Sequence, residues 1–284
     1  MKLADICIRD PFVLKDNNTY YLYGTRSATA WTNADGFDVY RSNDLENWTY
    51  VREIFHNDGR FWATKNYWAP ECIKYNDSYY LLATFGGEDR KKGIQFLKSD
   101  KPDGIFNAVT DFPITPKEWE CLDGSFYQDE NGTPYLIFSH SVPEESKGAF
   151  CAAKLKKDFT GLLEEPKILF YACDSLWAEP VPFAKQEFGI DGKAFFSDGP
   201  YIIKTNGKLF LLWSSWCKNG YAMGISESED GSLFGRWIHR KSPIVNDGGH
   251  GMVFEGLKGE FILTYHSPNE HLKEHPVFEV LQEL

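Results

Sequence analysis

Apolar residues along this chain fall in short runs, many alternating with polar ones, and few stretches keep the i, i+3, i+4 spacing of an amphipathic helix. The runs come in pairs joined by Asn-Gly or a close substitute, the strongest short-range signal for a β-hairpin. Asp10-Pro11-Phe12-Val13-Leu14 is followed by a turn at Asp16-Asn17-Asn18 and then Tyr20-Tyr21-Leu22-Tyr23. The unit returns from Trp68 with Asn76-Asp77, from Asp123 with Asn131-Gly132, and from Asp198 with Asn206-Gly207, each time leading into an aromatic or aliphatic run. A looser copy starts at Asp247 and continues through Gly249-His250-Gly251 to Phe261-Ile262-Leu263. Repeats at intervals of roughly 40 to 75 residues, each with two to four strand-like runs, predict an all-β, five-bladed β-propeller. With no linker-like or low-complexity stretch, residues 1–284 are expected to form one domain. The last copy is short of strands, so the segment near Ile6 and Ile8 is expected beside it, helping to close the ring.

The formal net charge of −11 argues against a nucleic-acid partner, since phosphate binding needs clustered Lys and Arg. Aromatic residues make up 16% of the chain. Most of these rings must fill the core, and Trp68, Phe126 and Trp213, near the starts of the units, are candidate platforms for a sugar ring. The six cysteines are scattered without a C-x-x-C pair, so neither a zinc site nor a redox motif is signalled. The opening residues lack an apolar signal core, and no run of about 18 apolar residues could span a bilayer as a helix. A cytoplasmic chain with no membrane partner is expected, a secreted mature form being the alternative. Oligomeric state is not legible.

Asp10, Asp123 and Asp198 each open a unit. The first strand of a propeller blade lines the central channel, so three acids at one phase would gather in one pocket. Crowded, partly desolvated carboxyls cannot all ionise, because like charge and burial raise at least one pKa. A protonated acid beside an ionised base is what glycosidic bond hydrolysis requires.

At these residues the chain resembles family 43 of the glycoside hydrolases, five-bladed propeller enzymes of arabinan and xylan breakdown. The similar stretches are Arg9-Asp10-Pro11-Phe12, Trp68-Ala69-Pro70-Glu71, Leu122-Asp123-Gly124-Ser125-Phe126, Asp198-Gly199-Pro200-Tyr201, and Gly249-His250-Gly251 with Tyr265-His266. The resemblance implies that Asp10 is the general base activating water and that Asp123 positions the acid and tunes its pKa. Asp198 stands where the family carries its general acid, a Glu, and is one methylene shorter; Glu71 and Glu179 are the other acids considered for that role. The resemblance also implies that Glu71 lies near the substrate and His250 deep in the channel, near a calcium or a water cluster, so a structural Ca²⁺ held through water is a candidate cofactor. The expected function is an inverting glycosidase that releases α-L-arabinofuranosyl or β-D-xylosyl units from small oligosaccharides, with acid and base roughly 6.5 to 9.5 Å apart. The alternative is a carbohydrate-binding propeller with impaired catalysis.

Overall fold

The structure is a computed structural model that describes residues 1–282; Glu283 and Leu284, the end of the expected domain, lie outside the described residues. Five antiparallel sheets, each built from consecutive strands, form the five blades of a propeller. Their innermost strands are Ile8–Asp16, Lys65–Tyr75, Cys121–Gln128, Asp198–Thr205 and Gly249–Glu255. Tight hairpins join these to the second strands, and Asn17, Asn76, Asn206, Gly132 and Gly207 take the positive φ that such turns demand. The fifth blade has three strands, and the one α-helix among the described residues, Ala184–Phe188, lies in the connection between blades three and four.

Each blade has two apolar faces, so each must pack on a neighbour, and five buried clusters result, one at every blade junction. Phe37, Val39 and Ile54 of blade one meet Cys72, Leu81 and Phe85 of blade two. Leu82, Ile94 and Phe96 meet Leu136, Phe138 and Cys151 between blades two and three. Ile137 and Phe150 meet Leu211 and Trp213 between three and four, and Phe210, Leu212 and Met223 meet Val253 and Leu263 between four and five. Ile6, Ile8, Val13 and Leu22 meet Met252, Phe254 and Ile262 at the closing seam. The N-terminal segment thus lies against the last blade as expected, through side-chain packing rather than as a fourth strand. Met1 and Trp48 exchange backbone hydrogen bonds of 2.9 Å that tie the segment down. All six cysteines are free thiols.

Candidate active site

One device repeats in all five innermost strands. Each carries a residue in the left-handed region near its start: Asp10 (φ 53°), Ala69 (48°), Asp123 (55°), Gly199 (51°) and His250 (50°). The chain bulges there, and pairing with the second strand skips across the bulge. The N–H freed by the bulge is caught by a side chain from the second strand of the preceding blade. Ala69 N–H donates to Thr25 Oγ1, Asp123 N–H to Thr84 Oγ1, and His250 N–H to Ser214 Oγ, each at 2.8 Å, while Asp10 N–H donates to His266 Nδ1 at 3.2 Å. The third-to-fourth junction departs from the pattern. Ser139 stands in the equivalent place, opposite Leu122, yet Gly199 N–H donates to the Asp123 carboxylate at 3.1 Å and the buried Ser139 hydroxyl is left unpaired.

This register corrects the expectation that the three aspartates share one phase. Asp10 and Asp123 occupy the bulge itself, and the bulge residue of blade four is Gly199, so Asp198 precedes it by one position. The residue equivalent to Asp10 and Asp123 in blade five is His250. Two rings follow: Asp10, Asp123 and His250 face the axis, and the preceding residues Arg9, Trp68, Leu122 and Asp198 line the wider vestibule above them.

The rings meet at His250. Its Nδ1 lies 3.2 Å from Asp10 Oδ1, 3.2 Å from Asp198 Oδ1 and 3.8 Å from Asp123 Oδ2. Burial alone would lower this imidazole, but the three carboxylates outweigh it and raise the ring to about 10. The resulting imidazolium is the counter-charge of the cluster. Burial also works against the charge on Asp10, yet His250, His266 and Arg9 hold its carboxyl well below the usual range, and Thr25 Oγ1 donates to it at 2.6 Å. Asp123 and Asp198 are coupled. Burial and the neighbouring Asp198 charge push Asp123 far upward. Asp198 suffers the same burial but is held low by hydrogen bonds from Asp123 and His250, and Tyr221 donates its hydroxyl to Oδ2 at 2.9 Å. The pair therefore holds one proton, resting on Asp123, whose side chain is 3% exposed against 22% for Asp198.

Among the other expected site residues, Trp68 lines the vestibule, its indole N–H fixed on the Ala30 carbonyl at 2.7 Å. Glu71 lies below the cluster in the narrow channel, accepting the Phe126 N–H at 2.7 Å, and so is remote from the mouth. Phe126 and Trp213 are corrections. Phe126 packs against Tyr75 and Phe159 in the seam between blades two and three, and Trp213 is fully buried in the next seam with Nε1 on Ser226 Oγ. Both belong to strands whose alternation turns them sideways toward a neighbouring blade instead of the axis. Glu179 is an exposed loop residue whose N–H is bonded to the Trp216 carbonyl. Residues that were not anticipated include Arg9, Trp31, Tyr221 and Trp216, all of which line the vestibule. For Arg9 a signal existed: a cation inside an apolar strand, beside the first aspartate.

The channel beneath His250 encloses about 20 Å³, room for about one water. The donors of Asp123, Asp198 and His250 lie within 4.8 Å of one another, a span that a metal ion could bridge. The vestibule, by contrast, opens to about 640 Å³ and is walled by residues of all five blades together with Phe183, Phe188 and Phe196 of the connection that carries the helix.

The sequence model of the glycosyl hydrolases family 43 matches residues 5–279. The fold is similar to the crystal structure of an endo-arabinase from Bacteroides thetaiotaomicron at 34% identity and a TM-score of 0.90, covering 100% of this chain and 97% of that one. A β-D-galactofuranosidase (xynD) of Aspergillus niger is 24% identical over 94% of this chain and 76% of its own length. An extracellular endo-α-(1→5)-L-arabinanase of Bacillus subtilis is 26% identical over 46% of this chain, a stretch that spans 42% of that relative.

Proposed function

The chain belongs to the glycosyl hydrolases family 43, and on that premise we propose that it is an inverting glycosidase releasing α-L-arabinofuranosyl or β-D-xylosyl units from plant-polysaccharide oligosaccharides. The observation that carries this reading is the convergence of carboxylates from three blades on one imidazolium at the floor of a walled vestibule. Asp10, kept ionised, is the base that takes a proton from the attacking water. Asp198, the cleft-facing end of the proton-sharing pair, delivers the proton to the leaving oxygen, and Asp123 stores it and tunes its release. Each turnover thus adds a proton to Asp10 and removes one from the pair, and exchange with solvent resets both.

In the free protein the oxygens of Asp10 and Asp198 nearest His250 are each 3.2 Å from the same nitrogen and so no more than twice that apart. Inversion with an interposed water needs roughly 6.5 to 9.5 Å between the carboxyl groups. The carboxyl carbons, each one bond beyond those oxygens, can stand farther apart, and a sugar-bound structure that placed the two groups about 5 Å apart would refute inversion. Walls from all five blades favour a site that takes a chain end. The endo-arabinase likeness supports a second reading, internal cleavage of arabinan, and the names of the relatives favour arabinosyl over xylosyl.

Linear arabinan and nitrophenyl pentosides test these statements together. Arabinose as sole early product supports release from the end, and a ladder of oligosaccharides supports internal cleavage. NMR of the nascent anomer must show inversion; retention refutes the assigned roles. Asp198→Asn is expected to lower kcat on oligosaccharides by roughly 100- to 10,000-fold while sparing nitrophenyl glycosides, whose leaving group needs little protonation. Sugar binding without turnover of any pentoside would favour the impaired, lectin-like reading.

A further inference from the structure

We propose that Arg9 is a substrate-recognition residue whose free guanidinium edge, Nε and Nη2, donates to two neighbouring hydroxyl oxygens of the sugar held over Asp10. The proposal rests on the glycosidase reading and names how that site selects its sugar. Arg9 belongs to the vestibule ring with Trp68 and Asp198, and it lines both the vestibule and the small recess, about 50 Å³, that contains Asp10, Asp123 and His250. One nitrogen is committed: Nη1 donates to Glu274 Oε1 at 2.8 Å and to Asn269 Oδ1 at 3.0 Å. Glu274 is itself completely buried and takes the Ser27 hydroxyl at 2.6 Å, so the clamp on Nη1 is rigid. The guanidinium carbon lies 5.2 Å from the ring centroid of Trp31, which is 58% exposed and lines the same recess.

Nε and Nη2 find no acceptor among the described residues, and neither is among the sealed, unpaired side-chain atoms, so both remain open to the cleft. That leaves three donors in a fixed fork, pre-aimed by the clamp and suited to a pair of adjacent oxygens. A Lys would satisfy Glu274 equally well but could not present the fork. A site built to bond a particular hydroxyl rejects the sugar that lacks it, because its donors are then left unpaired.

The test compares wild type with Arg9→Lys on nitrophenyl α-L-arabinofuranoside and on its 2-deoxy and 3-deoxy analogues. The intrinsic reactivity of each sugar cancels in the ratio between the two enzymes. On the parent, Arg9→Lys is expected to lose roughly 100-fold in kcat/KM, and on at least one deoxy sugar the factor should shrink to nearly one. An equal factor on all three sugars would mean that Arg9 only supports the fold, and would overturn the proposal. If the variant fails to fold, or if wild type turns over no pentoside, calorimetric binding of arabinose and the two free deoxy sugars to wild type decides. A weaker deoxy sugar supports the assignment, and equal affinity for all three removes it even where the glycosidase reading survives.

Discussion

Glu71 shows how a single buried side chain leaves a mark on the whole protein. Burial raises its carboxyl from 4.5 to about 8, outweighing the Phe126 N–H and His250, which favour the charged form. Between those two pH values the folded state keeps a proton that the unfolded chain has released, so stability falls as pH rises, by about 1.4 kcal/mol per unit. Glu71→Gln retains the oxygen that accepts the Phe126 N–H and abolishes the titration. A plot of Tm against pH should lose much of its downward slope from about pH 5 to 8 in the variant; a curve parallel to wild type would show that Glu71 is already ionised in the folded protein. His250 has its raised value for another reason, and its ion pairs contribute fully below its unfolded pKa and are lost as pH rises through about 10. Asp10 was readable in the sequence as an acid opening the first repeated unit, and His250 entered only through the resemblance to family 43. Trp213 and Phe126 were not correctly read, because an aromatic residue near a strand start has the same local sequence whether it faces the axis or a neighbouring blade.

The bulge in the innermost strand is the element that aims the chemistry. It puts a left-handed residue at the axis of every blade, and where that residue is Gly199 an added Cβ would come within 2.7 Å of the His250 ring. Gly199→Ala is therefore expected to displace His250, lower Tm and reduce activity, an outcome that thermal melts and kinetics on one substrate can check. The side chains that cap the bulges allow a sharper comparison. Thr84→Ala strips the Asp123 N–H of its buried partner and should cost about 1 to 3 kcal/mol. Ser139→Ala removes a buried hydroxyl that has no partner and should be close to neutral, so denaturant titrations giving equal losses would refute the description of this junction. The units themselves were legible, since hairpin turns and alternation are local. The offset of Asp198 by one residue was not, because a bulge shifts phase through backbone torsions that neither Asp-Gly nor Asp-Pro specifies.

The whole ring is held by five apolar seams, and the closing one joins the start of the chain to its last blade. Ile6 is 1% exposed there, against Met252, Phe254 and Ile262. Ile6→Ala should cost about 2 to 5 kcal/mol in urea unfolding, although the residue precedes every strand. With all six thiols free, a reductant should leave Tm unchanged; a drop would reveal a disulfide that the fold does not show. Sequence by itself determined the repeat, the all-β class and the number of blades, which follow from turn chemistry and periodicity within each unit, and it marked Asp10, Asp123 and Asp198 as acids opening three of those units, while the place of His250 in the channel came from the resemblance to family 43. Tertiary structure alone decided that Asp198 belongs to the vestibule ring, that His250 joins three carboxylates as their counter-charge, and that Arg9 is clamped by Glu274 of the last blade, its neighbour across the closing seam. Closing the ring brings together residues more than 250 positions apart, and the charge state of each depends on neighbours and burial that no stretch of chain carries alone.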